Sequence, residues 1–120
     1  MKKSYIAAAI IACTAFSTIA FAKDAKCKVV LDGKTEFYGT CNFKSLGNDG
    51  SFTLSNKNPR KLLLPDIKEL WVRMEQKNVA ELASVEPNDH FQRWGVTLIR
   101  STRDRACWEN SNGDISICAY

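Results

Sequence analysis

Three arginines, Arg100, Arg103 and Arg105, crowd together just ahead of Cys107, with Asp104 between the last two. A guanidinium offers a planar fork of donors that fits carboxylate or phosphate oxygens two at a time, and it stays charged at physiological pH. Trp94 and Trp108 bracket the run and could supply ring faces for stacking. Arg100, Arg103, Arg105 and Trp94 therefore form a candidate patch for a protein carboxylate or an anionic envelope component. The same run also reads as a solvated loop in which Asp104 neutralises a neighbour, the usual state of a surface charge cluster.

Other chemistry finds less footing. The single histidine, His90, sits among the turn residues Asn88 and Asp89, and no spacing sets a nucleophile such as Ser84 or Ser101 against it. There is no C-x-x-C, no pair of histidines, no phosphate-cradling glycine loop and no G-x-S-x-G turn. Glu75, Glu81, Glu86, Asp89 and Asp104 show no pattern that would hold two carboxylates across a cleft. No catalytic residue, metal or cofactor is expected, and the chain reads as a non-enzymatic binding protein.

The cysteines fix compartment before function. Met1-Lys2-Lys3, an apolar run from Tyr5, and Ala20-Phe21-Ala22 before a polar break predict a secretory signal peptide over residues 1–22. Ile10-Ile11-Ala12-Cys13 also resembles a lipobox, but the residues after Cys13 stay apolar where a lipoprotein tether would be polar. Lys2, Lys3 and Cys13 leave with that segment, so residues 23–120 keep four of the five cysteines and the net charge falls from +4 to +2. Four cysteines in a short exported chain predict two disulfides and a periplasmic or secreted location. So mild a charge gives no argument for nucleic acid, and no stable membrane insertion is expected after cleavage.

These side chains need elements to hold them. In the C-terminal stretch, Asn112-Gly113 predicts a two-residue type I′ turn that sets Cys107 directly opposite Cys118, at a hydrogen-bonded pair. Trp108, Ile115 and Ile117 then share the core-facing side. Asp32-Gly33 predicts a second hairpin from Lys26 to Cys41. A two-residue turn there pairs Cys27 with Tyr38, so a Cys27–Cys41 bridge requires a bulge near Gly39 or an offset turn. Such a bridge closes a 15-residue loop, worth about 3 kcal/mol.

Between the two hairpins, Ser51 to Ser55, Leu70 to Met74, Val79 to Val85 and Arg93 to Arg100 read as strands separated by turn clusters. A helix from Asp66 through Ala83 is the alternative for the middle pair, which β-branched and aromatic content disfavours. Leu62-Leu63-Leu64-Pro65-Asp66 reads as a short edge strand or a turn into one helical turn. The three tryptophans read as core. The sum is one all-β domain, a small antiparallel sandwich or barrel of seven to nine short strands, stapled by disulfides.

The motifs D-G-S-F at Asp49 to Phe52, and A-C-W at Ala106 to Trp108 followed by I-C-A at Ile117 to Ala119, stand alongside Cys27 to Cys41 and Arg93-Trp94-Gly95. In these the chain resembles a group of small exported proteobacterial proteins of uncharacterised function. The resemblance implies export and a shared fold, and it carries over no catalytic or ligand residue. In size, export and disulfides the chain is also similar to periplasmic lysozyme inhibitors and toxin-immunity proteins. The functional expectation is a protein partner in the cell envelope, with an anionic glycan or lipid as the alternative ligand and a small hydrolase last.

Overall fold

Asp32 and Gly33 both take positive φ, 53° and 76°, as a type I′ turn requires, and the first hairpin closes where expected. Its strands run longer than the sequence pattern suggested: β1 is Ala22–Leu31 and β2 is Lys34–Leu46. The structure, a computed structural model, describes residues 22–120; residues 1–21, which carry most of the expected signal peptide together with Cys13, lie outside the described residues. Six further strands follow: β3 Ser51–Asn56, β4 Glu69–Gln76, β5 Val79–Val85, β6 Phe91–Arg100, β7 Cys107–Glu109 and β8 Ser116–Ala119.

Each strand pairs antiparallel with the next, and β8 returns to β1 to close a barrel. The all-β expectation holds, and closure decides between barrel and sandwich. It also replaces the open edges of a sandwich with a seam four residue pairs long, from Cys27↔Ala119 to Val30↔Ser116. The helix alternative over 66–83 is not realised, since Glu69↔Val85 through Gln76↔Val79 form a hairpin ladder.

Alternation along the strands fills the interior. Val29, Leu54, Leu70, Val72, Leu82, Leu98 and Ile117 are at or within 1% of full burial. Each such side chain contributes about 1.5–3 kcal/mol relative to exposure. Leu63 and Leu64 join this core from a loop: of the two readings of this segment, a short edge strand or a turn into one helical turn, the turn forms and no helical turn follows it. A lone Leu64↔Ile67 bridge and a positive φ of 61° at Asp66 shape it. Of the tryptophans only Trp108 is fully core. Trp94 is half-buried, and Trp71 packs edge-on against Phe91 while donating to Glu69 Oε1 at 2.7 Å.

Both expected disulfides form, and they flank the seam from opposite sides of the wall. Cys27 and Cys41 point inward. β1 meets β2 as Val30↔Thr35 but Val29↔Phe37, so Glu36 is an extra residue in β2. The bulge sits at Glu36 rather than near Gly39. It shifts the register by one, sets Cys27 opposite Gly39 and Cys41 opposite Ala25, and brings both sulfurs to the same face with Cα atoms 5.8 Å apart.

Cys107 and Cys118 face each other on the outer side of the wall, as expected, since their neighbours Trp108 and Ile117 occupy the interior. Two details of that hairpin differ from expectation. Gly113 N donates to Asn110 O at 3.1 Å, Gly113 has φ 80° and Asn112 is not in the positive-φ region. The turn therefore spans Asn110 to Gly113 instead of centring on Asn112-Gly113. Asn110 N donates to Ile115 O and Ala119 N to Ala106 O, which places Cys107 and Cys118 at a non-hydrogen-bonded pair. The longer loop reverses the parity of the ladder without changing who faces whom, and the Cα atoms stand 4.0 Å apart. Two bonded disulfides fit an oxidising, extracytoplasmic compartment.

Candidate functional site

The loop from Ser101 to Ala106 is tightly built. Ser101, 6% exposed, accepts at Oγ from Arg103 N and Asp104 N, while Cys107 N donates to Asp104 O and Ser101 N to Cys107 O. These bonds fix the backbone of the loop that carries Arg103 and Arg105, and the three arginines do not share one surface. Arg100, the last residue of β6, and Arg105 both line a cleft of about 440 Å³ at one mouth of the barrel. Its walls are Asp49 and Gly50 from the β2–β3 turn, Met74 to Asn78 from the β4–β5 hairpin, and Trp108. Arg103 goes elsewhere and meets Glu109 at 3.8 Å, with most of its side chain in solvent.

The mouth is held by cross-links between its turns. Asn78, at φ 62°, supplies the carbonyl to which Arg100 N donates. Met74 N donates to Ser51 Oγ at 2.8 Å, and Ser51 N donates to Asp49 Oδ1 at 2.9 Å. That last bond lowers the Asp49 carboxyl below its ordinary value, so the group at the rim is ionised.

Within the cleft the Arg100 guanidinium lies 5.0 Å from the centre of the Trp108 ring. Its Nε is buried and has no hydrogen-bond partner. Neither Arg100 nor Arg105 makes an ion pair among the described residues, although Asp49 and Glu75 stand on the cleft walls. A stacked guanidinium with spare donors, beside a second one, can accept a carboxylate or phosphate in bidentate fashion.

The sequence patch is thus divided. Arg100 and Arg105 come together with Trp108, and Arg103 does not. Trp94 does not line this cleft: it sits on a bulge of β6 where Glu81 faces Thr97 but Ala83 faces Arg93, and its Nε1 donates to Ser84 Oγ at 2.9 Å. The bulge turns the indole into the barrel, where its N–H needs a buried partner. Asp104 is not an arginine's partner either; it accepts from Tyr120 Oη at 2.6 Å and from Ala106 N at 3.1 Å. Lys77, Gly50 and Met74 belong to the cleft but were not singled out, because only the strand pairing brings their turns beside Arg100. His90 lies exposed in the β5–β6 turn, while Ser84 and Ser101 spend their hydroxyl oxygens on Trp94 and on backbone amides.

Compared with protein-family models, with curated proteins and with solved structures, the chain has no significant match.

Proposed function

We propose that this is a non-enzymatic binding protein of the bacterial envelope, periplasmic or secreted, that receives an acidic group of a protein partner in the Arg100–Arg105 cleft. The observation that carries it is the state of Arg100: stacked on Trp108, with a buried Nε that has no hydrogen-bond partner and no ion pair among the described residues. The buried Nε has lost water without a hydrogen bond in return, and the guanidinium facing the cleft is left free to take a partner's carboxylate. Stacking on Trp108 holds Arg100 before the partner arrives, so less ordering is left to oppose binding. The disulfide-stapled frame serves an exported protein that must keep this shape outside the cell.

The test is recovery of partners from periplasmic extract by the native protein and by the Arg100→Ala/Arg105→Ala double variant, read by mass spectrometry. A protein recovered by the first and lost by the second, with the thermal midpoint unchanged, supports the cleft. Recovery of the same protein by both removes the cleft from the reading, and recovery of nothing by either removes the protein partner.

A further inference from the structure

On the side of the barrel built from β8, β1 and β2, the outward positions carry a different chemistry from the cleft. Tyr38 on β2 is 63% exposed and Tyr120, which follows β8, is 58% exposed. Between them β1 presents Lys26 and Lys28: Lys28 stands opposite Tyr38 on one side and Cys118 on the other, and Tyr120 N donates to Lys26 O at 2.8 Å. Tyr38 stands opposite Lys28 and Tyr120 opposite Lys26, so the two residues are two strands apart and offset by two residues along the strand, about 12 Å between their Cα atoms, with the lysines between them.

Neither ring is loose despite its exposure. Lys26 Nζ lies 4.7 Å and Lys28 Nζ 6.0 Å from the centre of the Tyr38 ring. Tyr120 is tied through its hydroxyl to Asp104, and its oxygen also lies 3.7 Å from Cys107 Sγ of the outer disulfide. Exposed aromatic side chains normally gain no such fixation, and holding them upright removes the ordering cost of a ligand stacking on them. The carboxylates near this face are Asp24, toward the start of β1, Glu36, two residues before Tyr38 on β2, Glu109, which lies beside Lys28 and Tyr120 and meets Arg103, and Asp104, which is already occupied by Tyr120. The centre of the face is cationic.

We infer that this face docks an anionic polysaccharide, whose sugar rings lie on Tyr38 and Tyr120 while its acidic groups meet Lys26 and Lys28. Lysine is depleted and tyrosine enriched at protein interfaces, so their alternation on a flat sheet suits a polymer carrying both apolar ring faces and regularly placed charge. Single-stranded nucleic acid shares that pattern of stacking and charge. Two disulfides set the chain in an extracytoplasmic compartment, where acidic glycans are the abundant polymer of this kind. The surface is separate from the Arg100–Arg105 cleft and does not rest on it.

The test measures binding of the full chain to polygalacturonate and to heparin, with neutral dextran and an oligothymidylate as comparisons. Expected are binding to at least one acidic glycan that weakens with added salt, no binding to dextran, and weaker binding to the oligonucleotide. Lys26→Gln/Lys28→Gln and Tyr38→Ala should each lose about tenfold or more in affinity. Arg100→Ala/Arg105→Ala should bind like the native protein, which separates this surface from the cleft. Circular dichroism melts establish that each variant is folded, and Tyr38→Phe, which keeps the ring, should retain binding if Tyr38→Ala is unstable. Failure to bind either acidic glycan, native-like binding by the lysine variant, or tighter binding to the oligonucleotide overturns the inference.

Discussion

Arg100 stacks on Trp108 at 5.0 Å, across the β6–β7 ladder in which the two residues are paired, yet its Nε is buried without a hydrogen bond. The ring is structural and the charge is spare. Trp108→Ala empties a core position that is 3% exposed and should cost about 3–5 kcal/mol in denaturant unfolding. Arg100→Met keeps an apolar stem against the ring and breaks no hydrogen bond at Nε, so its effect should stay within about 1 kcal/mol. Arg100→Lys should hold stability and still weaken an acidic partner, because the planar fork is gone. An Arg100→Met variant as unstable as Trp108→Ala would show that the guanidinium is a structural group.

The two disulfides differ in access. Cys27 and Cys41 are sealed at 0% exposure inside the barrel, whereas Cys107 and Cys118 lie on its outer side under Tyr120 and Ser116, at 5% and 2%. Thiol attack needs a path to sulfur, so graded reduction of the folded protein should open Cys107–Cys118 first. Mass mapping of alkylated peptides at increasing reductant gives the order. Removing either bridge by paired Cys→Ala substitution should cost about 2–5 kcal/mol. Earlier reduction of Cys27–Cys41 would mean that the barrel opens before its wall is attacked.

How far the sequence could be read depended on whether a feature lives in residue types or in register. Asp32-Gly33 announces its turn because positive φ at both positions is a property of those residues. The facing of Cys107 and Cys118 was legible because it depends only on a symmetric loop. The loop's true length was not, and with it went the hydrogen-bonding parity. The Glu36 bulge leaves no compositional trace, yet with Glu36 in the chain the inner disulfide depends on it. At the candidate site, the clustering of arginines was visible, but their division between cleft and solvent follows from how Ser101 pins the loop. The Tyr38, Lys26, Lys28 and Tyr120 face was invisible, since it assembles three strands from opposite ends of the chain.

The Tyr120 hydroxyl and the Asp104 carboxylate form a pH-bounded latch at 2.6 Å. The hydrogen bond from Tyr120 and that from Ala106 N hold the Asp104 carboxyl below its ordinary 3.8; the same contact with Asp104, then burial, raise the Tyr120 phenol above 10.0. A depressed acid stabilises the fold above its unfolded pKa and loses that contribution as pH falls through the folded value. A raised phenol favours the neutral ring, so its contribution is complete below about pH 10 and fades as pH climbs through the folded value. Asp104→Asn should therefore bring the Tyr120 titration, followed by near-ultraviolet absorbance, back toward its ordinary value. Tyr120→Phe should move the Asp104 carboxyl up toward 3.8, as read by carboxyl chemical shifts. An unmoved phenol titration in Asp104→Asn would break the latch.

Deletions at Glu36 and Tyr38 test the register directly. With the extra residue Glu36 gone, Phe37 follows Thr35 directly, so Val30↔Thr35 runs on to Val29↔Phe37 without a shift and Cys27 still faces Gly39. The deletion variant should therefore keep both disulfides, and so should Glu36→Gly, which keeps the residue count. Deleting Tyr38 as well removes one residue more than the bulge supplies: Cys27 then faces Thr40, and Cys41 falls on the opposite face from Cys27, because one residue of slip turns every following side chain over. In that double deletion the Cys27–Cys41 bridge should fail to form and stability should drop by about 2–5 kcal/mol, the range for losing a native disulfide from a small exported domain. Free-thiol counting on the folded protein reads the outcome. A double-deletion variant with two native bridges and an unchanged melting point would show that register does not set the inner staple.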